Sequence, residues 1–130
     1  MDTSLTSETR LGAFKEWLPK VNEIRNLTPH NVKIDSGDVG VTYECEQESL
    51  RISETFEKIG DYAGNDIVNK KMGKLELPDF EQGVLNIVSL PVAQMIARDY
   101  PRRLDFVTVG ELIRDKDGNI TGCKNLAFIE

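Results

Sequence analysis

Hydrophobic positions fall into two periods along the 130 residues of this chain. Near the N-terminus, Leu11, Phe14, Leu18 and Val21 recur at spacings of three and four, which marks one apolar face of a helix, and Trp17 widens that face. Ser7 can cap this helix, with Glu8 in its first turn where a negative charge suits the dipole. Pro19 predicts an end or a kink near Leu18. Such a stripe packs on the domain's own sheet or docks a partner. From Ile24 onward the period shortens toward two. Residues 24–28 and 32–34 read as extended segments interrupted by Pro29-His30. Val39, Val41, Tyr43 and Cys45 alternate with polar neighbours as in a half-buried strand. Residues 50–59 alternate in part. Residues 67–77 form a charged edge strand, in which Lys70, Lys71 and Lys74 discourage edge-to-edge pairing. An apolar strand (Val84, Leu85, Ile87, Val88) then runs through Ser89 and Pro91 into a helix from Val92 to about Tyr100, followed by Pro101-Arg102-Arg103. Residues 106–109 make a strand. Residues 112–114 and 119–122 flank Asp115-Lys116-Asp117-Gly118, a hairpin signal, and residues 125–129 close the chain. The pattern predicts an α+β fold: a mainly antiparallel sheet of six to eight short strands with an N-terminal helix and one late helix. It divides into a helical extension, residues 1–22, and a single sheet-rich domain, residues 23–130.

Composition narrows the classes. Hydrophobic residues make up 39% and charged residues 29%, as in a globular domain. No apolar run approaches the ~18 residues of a membrane span, so no membrane partner is expected. The N-terminus lacks the basic start and apolar core of a signal peptide. Cys45 and Cys123 lie far apart and read as reduced thiols of a cytoplasmic protein. They form no metal pattern with His30, the only histidine, and no cofactor motif is present. The net charge of −6 argues against a nucleic-acid polymer, whose binding needs a basic surface. A small anion remains compatible, because one pocket can be positive on a negative protein.

The candidate chemistry centres on the arginines of the late helix. Arg98 and Arg102 are four apart, with Arg103 adjacent, and Arg51 joins them if the fold brings it near. Guanidinium forks bind phosphate bidentately; in the simpler alternative these cations only offset the negative end of the helix. His30 reads as structural, its side chain fixing the strand break, because no acid or nucleophile stands at motif spacing. Most carboxylates read as solvated, Glu44, Glu46 and Glu48 among them. The Asp115–Asn119 segment has the composition of a calcium loop without the later bidentate glutamate, so it is a turn. No phosphate loop, serine nucleophile motif or metal cluster is seen, so no catalytic or metal site is assigned.

Several strings carry a resemblance in their order and spacing: Asn26-Leu27-Thr28-Pro29-His30, Arg51-Ile52-Ser53, Gly73 with Leu77-Pro78, Ile87-Val88-Ser89, the arginine elbow, and Arg114-Asp115 with Gly118 and Gly122-Cys123. From about Ile24 to Ala127 the chain resembles a family of small phage and prophage proteins that includes the Thoeris anti-defence sponge of the first type. The resemblance implies a binding protein of the host cytoplasm, not an enzyme. It would sequester cyclic ADP-ribose-type (glycocyclic ADP-ribose) immune signals without cleaving them. Some members also hold cyclic oligonucleotides at a separate site. It implies self-association as a homodimer or homohexamer, with pockets at subunit boundaries. Carried over, the helix arginines match Arg98 and Arg102 with Arg103 adjacent, a strand arginine matches Arg51, and a polar turn residue falls at Gln82. The base-stacking aromatic falls at Met72, a departure, for which Tyr100, Phe56 or Phe80 could substitute. The alternatives are a phosphodiesterase or glycohydrolase acting on the same signal through His30, and a homo-oligomeric phage accessory protein whose N-terminal helix docks a partner.

Overall fold

The N-terminal apolar stripe folds into helix α1 (Arg10–Trp17), which passes into a short 3-10 turn (Leu18–Lys20) at Pro19. In the computed structural model, which describes residues 9–37, 39–46 and 48–130, Thr9 caps this helix: its Oγ1 accepts a hydrogen bond from the Gly12 N–H at 3.0 Å. The start expected at Ser7 and Glu8 lies outside the described residues. The stripe packs on the protein's own sheet. Trp17 is 1% exposed, and Phe14 stacks on Phe128 with ring centroids 4.1 Å apart. The Arg10 guanidinium donates to the carbonyls of Pro101, Arg103 and Ile129 and lies 4.4 Å over the Phe128 ring. α1 therefore supplies part of the core and fastens the C-terminal segment.

The centre is a four-stranded sheet in the order β1 (Glu23–Asn26), β6 (Val84–Ile87), β7 (Phe106–Val109), β10 (Leu126–Ala127). β6 is buried along its whole length. That explains why its sequence is a nearly continuous apolar run and not an alternating one. Leu85 and Ile87 join Phe14, Trp17, Leu104 and Val107 in one core cluster. Val88 joins Phe106 and the inner face of helix α2 (Leu90–Asp99), formed by Val92, Ala93 and Ile96, in the other. α2 carries the chain from the end of β6 back to the start of β7, so these two strands lie parallel.

A second sheet has the order β3 (Gly40–Tyr43), β2 (Val32–Asp35), β9 (Ile120–Cys123), β8 (Leu112–Arg114). Its Val32 and Cys123 complete the first cluster. The turn between β8 and β9 is the expected one, with Asp115 Oδ1 accepting from the N–H groups of Asp117 and Asn119 at 2.9 and 3.0 Å.

The third sheet is a two-stranded hairpin, β4 (Glu54–Tyr62) and β5 (Asn65–Met72). Ala63 and Gly64 both have positive φ at its tip, 52° and 82°, which matches the strand twist in a two-residue turn. A bulge interrupts β4 between Lys58 and Gly60. Every residue of both strands is exposed. At the base, the Gly73 N–H donates to the Ser53 carbonyl at 2.7 Å, and a side chain at Gly73 would lie 2.0 Å from Ser53 Oγ.

The fold class is thus α+β, with an N-terminal helix and one late helix. Two details differ from expectation. Ten strands are described, against six to eight, because the loops split the extended segments among three sheets. Three strand pairings are parallel: β1 with β6, β6 with β7, and β2 with β9.

Candidate functional site

Where the hairpin leaves the body, its base faces the start of α2 across a cleft of about 500 Å³. Phe56 and Met72 form one wall, and Ser89, Pro91 and Val92 at the amino end of α2 form the other. β4 and β5 alternate across the hairpin, and the register pairs Phe56 with Lys70 and Glu54 with Met72, so these four side chains share one face. Phe56 keeps 61% of its surface exposed. Arg51 stands at the rim. Its Nε donates to Ser49 Oγ at 2.9 Å, and among the described residues its terminal nitrogens make no hydrogen bond. The first N–H groups of a helix lack intrahelical acceptors and carry partial positive charge. Ser89, at the N-cap of α2, makes no side-chain bond to them, and Pro91 contributes none. The one carboxylate of the lining, Glu54, is held by Lys70 at 3.2 Å. The cleft thus presents a flat ring, a polarizable thioether, an open guanidinium and a helix start.

Two further concavities adjoin it through Met72. One of about 740 Å³ runs along the outer side of α2 past Gln94 and Arg98 to Glu130. One of about 350 Å³ lies beside Arg98, Asp99 and Tyr100. The larger is less suited to an anion. The Arg98 guanidinium already donates to Asp99 at 2.9 and 3.0 Å, and Glu130 adds negative charge. The Arg98 hydrogen bonds hold the Asp99 carboxyl below the usual carboxylate range, against desolvation, which raises it, and with the Arg98 charge adding to the lowering.

The structure separates the six residues singled out in the sequence. Arg51 and Met72 meet in the 500 Å³ cleft, and Arg98 meets Met72 in the neighbouring concavities. Arg102 lies on the exposed turn after α2 and lines none of these concavities. Gln82 sits in the exposed turn before β6 and lines none either. Arg103 turns inward: its fork grips Asp105 at 2.9 and 2.8 Å, its Nη2 donates to the Pro78 carbonyl at 2.8 Å, and it lies 5.1 Å over the Phe106 ring. Asp105 is 1% exposed, so Arg103 neutralises a buried carboxylate. Arg98 and Arg102, with Arg103 adjacent, do not share one of these concavities. α2 ends at Asp99, so Arg102 and Arg103 lie beyond it, Arg102 in the exposed turn and Arg103 half-buried.

Of the aromatics offered in place of Met72, Phe56 lines the cleft beside it. Phe80 packs near Trp17, 6.1 Å between centroids, and Tyr100 donates its hydroxyl to the Leu75 carbonyl at 2.9 Å. His30 is exposed, and its side chain does not fix the strand break. Asn26 does so, 1% exposed and fully engaged. Its Nδ2 donates to the carbonyls of His30 and Tyr43 at 2.7 and 3.0 Å, and its Oδ1 accepts from the Thr28 N–H and hydroxyl at 3.0 and 2.6 Å. An asparagine two residues before a threonine in a Pro-containing turn is the sequence signal for this arrangement. The helix start at Ser89 and Pro91 was visible in the sequence, but its meeting with Phe56 depends on the hairpin's position.

Among the described residues no group of three or more histidine, cysteine, aspartate or glutamate side chains is placed to hold a metal ion, and no helix is long and apolar enough to cross a membrane. Compared with known proteins, the chain matches no family model, no curated protein and no solved structure.

Proposed function

We propose that this chain is a phage anti-defence protein of the host cytoplasm that captures a cyclic ADP-ribose-type signal and holds it intact. The observation that carries the reading is the meeting of Arg51, Phe56, Met72 and the start of α2 in one cleft. Each wall suits one part of such a ligand. The adenine lies on Phe56, with Met72 against its edge. The pyrophosphate takes the Arg51 fork and the helix amino end. A cleft of about 500 Å³ is in the range that small-molecule sites occupy. The same groups favour capture over cleavage: they grip charge and ring faces, and the nearby carboxylate is already paired with Lys70. Sequestration needs only slow release.

The test is calorimetric titration with cyclic ADP-ribose and its glycosidically linked isomers, then boiling of the complex and mass analysis of the released ligand. Binding by at least one of them and an unchanged ligand mass are expected. Arg51→Ala should weaken binding roughly 10- to 100-fold, the loss of a charge-assisted contact of about 1.5–3 kcal/mol. No binding at millimolar ligand would reject the reading. An altered mass in the released ligand would replace it with hydrolysis, and loss of that turnover in His30→Ala would then assign the acid or base.

A further inference from the structure

The walls of the cleft belong to two parts of the molecule that are joined at the root of the hairpin. Phe56 and Met72 stand on the ribbon, whereas Arg51, Ser89, Pro91 and Val92 stand on the body. β4 and β5 pack on each other and make at most isolated contacts with any other helix or strand. The anchors lie just below the root. Ile52 and Leu75 pack into the α2 cluster with Val88, Val92 and Ile96, and the Leu75 carbonyl accepts from the Tyr100 hydroxyl at 2.9 Å. Between anchors and ribbon lie Ser53 on one side and Gly73-Lys74 on the other. There the two chains run very close. The Gly73 N–H donates to the Ser53 carbonyl at 2.7 Å. A Cβ at Gly73 would lie 2.0 Å from Ser53 Oγ, 3.2 Å from the Ser53 carbonyl oxygen and 3.3 Å from Ser53 Cβ. Gly73 is not among the glycines with positive φ, so the position asks for space and not for a special backbone conformation.

We propose that Gly73 is a positioning residue of the cleft: its bare backbone lets the two chains of the root close on each other, and that contact sets the angle of the ribbon to α2. Its effect on affinity rests on the ligand reading; its effect on the angle does not. With so little else tying the ribbon to the body, a wedge at the root acts on a lever. Relieving a separation of 2.0 Å to an ordinary contact of about 3.5 Å moves the root by about 1.5 Å. Asn69, four residues out along β5, is about 13 Å from Gly73 and swings with it. Phe56 and Met72 are carried on the same arm, so they leave their place opposite Ser89 and Pro91. Alanine at position 73 is the mild wedge, because the Ser53 hydroxyl can turn aside to another rotamer. Valine is the strong one, because the Ser53 carbonyl and Cβ then crowd its two methyl groups. Ser53→Gly removes the hydroxyl and the Cβ together, and so takes away most of what the wedge meets.

The experiment reads the angle without ligand and the affinity with it. In a Cys45→Ser background, where Cys123 is buried, spin labels at Asn69→Cys and Leu90→Cys report the distance from ribbon to α2 by pulsed electron resonance. Asn69 lies on the ribbon face opposite to Lys70, and Leu90 is exposed, so neither label fills the cleft. Gly73→Val should shift that distance by roughly 2 Å, Gly73→Ala by less, and Ser53→Gly added to Gly73→Val should return it toward wild type. Tm should stay at the wild-type value, because the ribbon belongs to neither core cluster. In calorimetric titration with cyclic ADP-ribose and its glycosidically linked isomers, Gly73→Val should weaken binding roughly 5- to 100-fold, the worth of one base-stacking contact. Ser53→Gly should recover part of that loss. A Gly73→Val distance equal to wild type overturns the proposal. So does a shift that Ser53→Gly fails to reverse, or a shifted distance with affinity intact. A wild type that binds none of these nucleotides rejects the ligand reading instead, and the distance then decides the role of Gly73 by itself.

Discussion

Trp17 and Tyr62 are both large aromatics on regular elements, yet one is 1% exposed and the other 78%. Trp17 sits in the body, where α1, the central sheet and the second sheet bury it together. Tyr62 sits at the tip of the hairpin, paired across to Asn65. The contrast extends to charge. In the body, Arg103 is spent on a buried aspartate; beside the hairpin, Arg51 keeps its terminal nitrogens open. The body buries its large side chains, and the hairpin leaves its own exposed. Substitutions should divide along the same line.

The largest expected effect is at Trp17. Trp17→Ala should cost about 3–5 kcal/mol through lost burial and an unfilled cavity. That corresponds to a fall of roughly 10–20 °C in Tm for a domain of this size. Trp17→Phe should cost less, because among the described residues the indole Nε1–H has no hydrogen-bond partner and its removal relieves a buried unsatisfied donor. Tyr62→Ala should change stability by no more than about 0.5 kcal/mol. Thermal unfolding of the three variants at one low protein concentration reads the contrast. Equal losses at Trp17 and Tyr62 would abolish it.

Next comes the buried ion pair. Arg103→Ala leaves Asp105 charged, 1% exposed and without its main partner, and should cost about 3 kcal/mol. Asp105→Ala in the same chain should recover part of that loss, since the stranded charge is then gone. Denaturant titration of both singles and the double gives the coupling. Arg51→Ala should leave stability within about 0.5 kcal/mol of wild type while it weakens ligand binding. An Arg103→Ala variant as stable as Arg51→Ala would place Arg103 back among the exposed cations.

How far the sequence discloses these roles depends on the range of the interaction. The β6–α2 segment was readable because its signals are local: an apolar run, Ser89 and Pro91 at a helix start, and an amphipathic face on Val92, Ala93 and Ile96. The Asp115–Gly118 turn was readable for the same reason. The hairpin was harder. Its two strands appeared as a partly alternating segment and an edge strand, but nothing local announced that they pair with each other and leave the body. Arg98 and Arg102 share a helical spacing in the sequence, but α2 stops at Asp99, before Arg102. A shorter-range signal was present: Arg103 and Asp105 stand two apart in an extended stretch, where such residues share a face. The cleft depends on Phe56 and Ser89 meeting across the fold, and no sequence period encodes that distance.

The smallest expected effect concerns Arg98 and Asp99, a pair on the body's surface that borders the cleft region. Arg98 is 70% exposed in its side chain. Hydrogen bonds from Arg98, with its positive charge, lower the Asp99 value, and the Arg98 value is raised in turn by Asp99. A depressed carboxylate value fixes the sign. The pair contributes above the ordinary aspartate value of about 3.9 and loses its contribution as pH falls through the lower folded value. Carboxyl NMR titration should therefore place Asp99 below a free aspartate, and Arg98→Ala should return it toward the ordinary value. Salt near 1 M should shrink the shift, because exposed charges are screened at a Debye length of about 3 Å. Stability should scarcely move, as is usual for exposed pairs. Asp99→Asn removes the charge that occupies the Arg98 fork, and it should leave the fork open toward the concavity shared with Met72. A modest gain in anion affinity in that variant, with Tm unchanged, would show that even the body's surface cations can serve the cleft once their own acids release them. No gain would confine anion binding to the Arg51 side.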